Sequence, residues 1–150
     1  MVLEKTDKLI QKFIVAGVLS SDEIKSALAA CCFIVDDDED ALFIGQKIVS
    51  KMGFTTHTAR SAVEALAEIE KKLPQLILLD WNMPSMSGLE FIAHLKKIPG
   101  GYKIPIIMCT GESDEKHVRT ALANGVKGYL VKPFSESDVA KQFEYLKIKP

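Results

Sequence analysis

What this chain of 150 residues lacks narrows the field before anything it contains. It has three cysteines, Cys31 and Cys32 side by side and Cys109 far along, without the paired spacing of zinc or dithiol sites. Disulfide scaffolds and zinc modules are thereby set aside, which leaves small buried hydrophobes in a reducing compartment. Charge of either sign is not in excess: the formal net charge of −1 gives no electrostatic reason to expect nucleic acid or membrane partners. Long apolar runs are missing too, the longest early one, residues 13–19, being too short to span a bilayer. Leu28-Ala29-Ala30-Cys31 looks like a lipoprotein cleavage box, but the segment before it, Ser20 to Lys25, carries three charges where a signal peptide needs its apolar stretch. A soluble, cytoplasmic protein is expected. Walker and dinucleotide glycine motifs, internal repeats, low-complexity tracts and Ser/Gly linkers are also missing, and His57, His94 and His117 are too scattered to suggest a metal site or a phosphotransfer histidine.

What is present, from residue 30 onward, is an alternation of short β-type runs with helix-period segments, the pattern of parallel strands joined by helical crossovers. It predicts strands near Ala30 to Val35, Phe54 to Thr58, Leu76 to Leu79, Ile104 to Met108 and Gly128 to Val131. Helices are expected near Asp40 to Met52, Ser61 to Lys72, Ser87 to Lys96, Ser113 to Asn124 and Ser135 to Leu146. Ser61 with Glu64, Ser87 with Glu90 and Ser135 with Asp138 have capping-box spacing, while Gly53 and Gly125 stand where a helix would end. The last helix runs nearly to Pro150, so no output domain is expected after it.

Residues 1–28 read as a separate helical hairpin. Thr6 or Asp7 can cap a first helix with Leu9, Ile10, Phe13 and Ile14 on one apolar face, ended by Gly17. Ser20 with Glu23 caps a second, with Leu19 and Ile24 as a hydrophobic staple. Two helices around a glycine turn invite a DNA-binding reading, but four acidic residues cancel four basic ones and the second helix runs straight into the first strand. An extra layer on the following domain, homodimerisation and partner docking stay open.

The chemistry sits at strand ends. Leu76-Ile77-Leu78-Leu79 ends in Asp80 and breaks into Trp81-Asn82-Met83-Pro84-Ser85-Met86-Ser87-Gly88, which holds a carboxylate at the rim of a sheet, where α/β proteins bind ligands. The first strand likewise runs into Asp36-Asp37-Asp38-Glu39-Asp40. Clustered carboxylates repel unless a cation sits among them, and oxygen-only ligands suit magnesium. The fourth strand ends in Thr110-Gly111 and the fifth in Lys132-Pro133-Phe134. Carboxylate nucleophile, acidic metal pocket, hydroxyl and ammonium are the parts needed to accept a phosphoryl group.

Through Val35-Asp36-Asp37, Leu79-Asp80-Trp81-Asn82-Met83-Pro84, Thr110-Gly111 and Tyr129-Leu130-Val131-Lys132-Pro133-Phe134, the chain resembles the receiver domain of two-component response regulators, most of all the stand-alone chemotaxis regulators. The resemblance covers about residues 29–148 and implies a doubly wound, flavodoxin-like α/β fold: five parallel strands in the order 2-1-3-4-5 with helices on both faces. It divides the chain into a helical extension, 1–28, and a receiver, 29–150.

By that resemblance Asp80 takes a phosphoryl group from a histidine kinase or histidine phosphotransferase, the receiver catalysing its own modification without being an enzyme otherwise. Asp37, Asp80 and the backbone carbonyl of Asn82 would bind magnesium directly, and Asp36 through water. Lys132, aimed inward by a cis bond before Pro133, would pair with the free Asp80 carboxylate and then with the phosphoryl group. Thr110 would bond that group and vacate space for Tyr129, switching the surface around them for a downstream partner. Asn82 and Glu112 would line the path of hydrolytic water, implying a short-lived phosphoryl group. Gly111, in place of the commoner alanine, would leave the site accessible. Asp38, Glu39 and Asp40 fit a solvated helix start instead. Relay of the phosphoryl group to a further histidine stays open beside an effector role.

Other readings fit less well. A haloacid-dehalogenase-like phosphatase also uses an aspartate nucleophile with magnesium, but it needs a carboxylate where this chain has Asn82. A flavodoxin-like electron carrier needs a hydroxyl- and glycine-rich phosphate loop where this chain has Asp36 to Asp40. A degenerate, purely binding receiver is disfavoured because every catalytic position is filled.

Overall fold

The structure, a computed structural model, describes residues 30–111 and 115–150, with residues 11, 12, 15–18 and 20 ahead of them. Five strands, β1 (Cys31–Val35), β2 (Thr55–Ala59), β3 (Leu76–Asp80), β4 (Ile106–Thr110) and β5 (Gly128–Val131), alternate with helices α1 (Glu39–Lys51), α2 (Ala62–Lys71), α3 (Gly88–Lys97), α4 (Glu115–Ala123) and α5 (Glu136–Leu146). The strands form one parallel sheet in the order β2-β1-β3-β4-β5. This is the doubly wound fold that the resemblance implies.

The central strands β1, β3 and β4 are buried at every position, as strands covered by helices on both faces must be. Alternate residues then feed two cores. Phe33, Val35, Ile77, Leu79 and Met108 pack on one side with Ile69, Phe91 and Leu95, and Cys32, Ile34, Leu76, Leu78, Ile107 and Cys109 pack on the other with Leu42, Val49, Val139 and Phe143. The edge strands carry fewer apolar side chains, and β2 is mostly exposed.

Side chains set the helix starts. Ser61 and Ser87 accept hydrogen bonds from the N–H groups of Glu64 and Glu90, and Asp38 caps α1 through Asp40 N–H. At α5 the box is reciprocal: Ser135 Oγ accepts from Asp138 N–H at 3.1 Å and Asp138 Oδ2 from Ser135 N–H at 2.9 Å. Ser135→Ala is expected to destabilise the fold by about 1 kcal/mol in urea unfolding. The backbone and hydroxyl of Ser135 hold the Asp138 carboxyl below its usual range. The cap's electrostatic contribution is therefore present above the unfolded carboxylate range and fades as pH falls through the lower, folded value. Gly53 (φ 96°) and Gly125 (φ 102°) end their helices in the left-handed conformation.

Several strand bounds shift by one or two residues from those expected: β1 starts at Cys31, β3 ends at Asp80 and β4 ends at Thr110. β4 starts at Ile106, later than the expected Ile104, because a 3₁₀ turn, Gly101–Lys103, takes Ile104 N–H to Gly101 O. Pro105, without an N–H, serves the sheet only as an acceptor for Ile77. β2 likewise begins and ends one residue later than expected. Of the expected N-terminal hairpin, Gly17 has the left-handed φ of 72° that ends a helix. Thr6, Asp7, Leu9, Ile10, Phe13, Ile14, Leu19, Glu23 and Ile24, on which the rest of that reading depends, lie outside the described residues. No helix among the described residues is long and apolar enough to cross a membrane.

Candidate functional site

β1 and β3 are neighbours in the sheet, and the chain winds from them in opposite directions, so their C-terminal ends border the crevice of a doubly wound sheet. The residues that close these strands are Asp36 and Asp80, both buried. With exposed Asp37 they bring one carboxylate oxygen each to within 4.8 Å of one another. Backbone amides orient two of the three: Asp38 N–H donates to Asp36 Oδ1 at 2.9 Å and Asn82 N–H to Asp80 Oδ1 at 3.2 Å.

The counter-charge comes from the end of β5, Lys132, 96 residues from Asp36 in sequence. Its Nζ lies 2.5 Å from Asp36 Oδ2 and 3.5 Å from Asp80 Oδ1. The expected partner was Asp80, but the ammonium leans toward Asp36. Asp36 Oδ1 is already held by Asp38, which leaves Oδ2 for the lysine, whereas Asp80 Oδ1 is shared between Lys132 and Asn82. The Lys132–Pro133 peptide bond is cis, and Lys132 N–H donates to Thr110 O at 2.7 Å, tying the two strand ends together.

Burial, more than anything else, pushes the Asp80 carboxyl up to about 6; Asn82 N–H and Lys132 oppose it, and Asp36 and Asp37 add to it. Burial also leaves the carboxylate less hydrated than an exposed one. Burial pulls Lys132 down, but the Asp36 hydrogen bond and the charges of Asp80 and Asp36 outweigh it, so its pKa is raised and the ammonium stays charged.

Three carboxylates facing one ammonium leave negative charge in excess, and hard oxygen donors at this mutual distance fit a magnesium ion. Thr110 is buried at the end of β4, paired in register with Val131 one residue before Lys132. Tyr129, on the edge strand opposite Met108, is 38% exposed. Asn82 is exposed on the loop, and a Cβ at Gly111 would meet nothing within 4 Å, so the space beside it is open. Glu112 lies outside the described residues.

Sequence reasoning missed three contributors. Asp38 was assigned to a helix start only, yet the amide that caps nothing itself orients Asp36. Cys109, paired in register with Asp80, is buried beside the site, its thiol pushed up to about 12 by burial. Gly88 is packed under the Trp81 ring. Only the first had a local signal, an acidic residue two positions after a strand end.

The family profile described as "Response regulator receiver domain" matches residues 32–144. The phosphate regulon transcriptional regulatory protein PhoB of Rhizobium meliloti (strain 1021) is 33% identical over 106 residues, 71% of this chain and 47% of that protein. The chain thus spans about half the length of that relative. The chemotaxis protein CheY1 of Helicobacter pylori (strain ATCC 700392 / 26695) is 34% identical over 113 residues, 74% of this chain and 91% of that protein. Among solved structures, the chemotaxis response regulator CheY4 of Vibrio cholerae superposes with a TM-score of 0.72 at 31% identity, covering 79% of this chain and 98% of its own.

Proposed function

The chain belongs to the response regulator receiver domain family, and from that premise we propose that it is a phosphoryl-accepting receiver of a two-component or phosphorelay system with Asp80 as its acceptor. The observation that carries the proposal is the placement of a buried strand-end carboxylate beside Asp36, Asp37 and the ammonium of Lys132. Residues 29–150 are the receiver and 1–28 an extension; the setting is cytoplasmic.

The donor is a phosphohistidine on a histidine kinase or phosphotransferase. An Asp80 oxygen attacks the phosphorus in line as the P–N bond breaks, and the electron pair returns to the imidazole nitrogen, which takes up a proton. Asn82 N–H steadies the carboxylate that attacks. Asp37 and Asp80, the Asn82 carbonyl and, through water, Asp36 are the residues that would hold magnesium, which when bound neutralises carboxylate and phosphoryl charge. Lys132 lies close enough to Asp80 to move from Asp36 to a new phosphoryl oxygen. Thr110 then bonds the phosphoryl group, and Tyr129 follows into the space it leaves. Asn82 and Glu112 set the rate at which water removes the group. Beside the site a groove lined by Ala41, Ile44, Pro133 and Phe134, together with Asp38, Asp40 and Lys132, offers a donor protein a contact surface next to the acceptor.

Incubation with acetyl phosphate or a small phosphoramidate and magnesium is expected to raise the intact mass by one phosphoryl group. A mass that never changes at any donor concentration contradicts the proposal. Lys132→Ala is expected to keep the fold and still accept the group, but to lose the linked change at Tyr129, read by the chemical shifts of its ring. A phosphorylated Lys132→Ala protein whose Tyr129 responds as in the wild type would remove Lys132 from the switch.

A further inference from the structure

Gly88 opens α3, and the usual reasons for a glycine do not apply there. Its φ is not positive, unlike those of Gly17, Gly53, Gly100 and Gly125, so any L residue can adopt its backbone. Within a helix alanine is the better former. The demand is steric. A Cβ at Gly88 would lie well inside van der Waals contact with Cε3, Cζ3 and Cδ2 of Trp81, so the indole rests on the bare Cα of the helix's first residue.

Trp81 follows the acceptor directly. Its ring is half-buried against the core that contains Phe91 and Met108, and its backbone N–H donates to Cys109 O at 2.9 Å. The next amide, Asn82 N–H, is the one bonded to Asp80 Oδ1. Trp81, whose carbonyl carbon carries the amide bonded to Asp80, is thus held by β4 through its own N–H and by Gly88 through its indole.

We propose that Gly88 is a positioning residue: it provides the seat for Trp81, and through Trp81 it keeps Asn82 N–H on the Asp80 carboxylate. This deepens the receiver reading and rests on it for its effect on phosphoryl transfer, but not for the seat itself.

The test uses the full chain as wild type, Gly88→Ala, Trp81→Val and the double variant. Trp81 is the only tryptophan, so its emission reports the seat with no donor present. Gly88→Ala is expected to move that emission to longer wavelength and to slow labelling by acetyl phosphate with magnesium by roughly ten- to a hundred-fold, the scale of a displaced reacting group. Trp81→Val is slowed as well, and adding Gly88→Ala to it causes no further loss. Unchanged emission in Gly88→Ala, or equal slowing by Gly88→Ala with and without Trp81→Val, overturns the proposal. Should Gly88→Ala alone fail to fold, recovery of helical circular dichroism in the double variant supports the same steric dependence, and an unfolded double variant overturns it. If even the wild type is never labelled, the acceptor reading fails, and the emission shift still decides the seat.

Discussion

Asp80→Asn is expected to abolish labelling by acetyl phosphate or a phosphoramidate altogether while leaving a folded protein. The amide has nearly the shape of the carboxylate but is no nucleophile toward phosphorus. Its side-chain oxygen can still accept the hydrogen bond from Asn82 N–H that Asp80 Oδ1 accepts. It also removes one negative charge from a cluster in which three carboxylates lie within 4.8 Å of each other, so the variant should melt at no lower temperature than the wild type in magnesium-free buffer. Loss of labelling can then be assigned to chemistry rather than to unfolding. Residual labelling at a wild-type rate would move the acceptor elsewhere, Asp36 and Asp37 being the clustered carboxylates left to examine.

The largest effect on stability is expected one residue earlier. Leu79 is fully buried in β3, between β1 and β4, and packs in the core that contains Phe91, Met108 and Ile77. Leu79→Ala removes three buried carbons and leaves a cavity that two flanking strands prevent from closing, so a loss of about 3 kcal/mol is expected. A domain of this size has roughly 5–15 kcal/mol in all. The midpoint of urea unfolding should fall accordingly with the slope unchanged. A loss below about 1 kcal/mol would mean that the core can relax around the gap in a way a close-packed interior does not.

Both predictions depend on a layout that was largely open to reading in the sequence. The apolar runs that end in Asp36, Asp80, Thr110 and Lys132 are local signals, and parallel strands buried on both faces produce them directly. The serine caps at 61, 87 and 135 likewise work within three residues of themselves. Strand order was different: hydrophobic periodicity says that β1 is buried but not that β3 lies beside it, and only the likeness to receiver domains supplied the order. What stayed unread depends on contacts between distant segments or on fine steric fit. The lean of Lys132 toward Asp36 rather than Asp80 is set by which oxygens Asp38 and Asn82 already occupy. The turn at Gly101–Lys103 delays β4 by taking Ile104 N–H to Gly101 O. The fit of Trp81 over Gly88 leaves in sequence only an unremarked glycine after a serine cap.

The most direct test of Asp80 as acceptor is to trap the bond itself. An acyl phosphate, unlike a phosphate ester or a phosphoramidate of histidine or lysine, is reduced by borohydride to an alcohol, which turns the modified aspartate into homoserine. Protein treated with acetyl phosphate and magnesium, reduced, digested and sequenced by tandem mass spectrometry is expected to carry homoserine at position 80, and none there when the donor is omitted. Homoserine at position 36 or 37 instead, or a phosphoryl group that survives borohydride unreduced, would contradict the account.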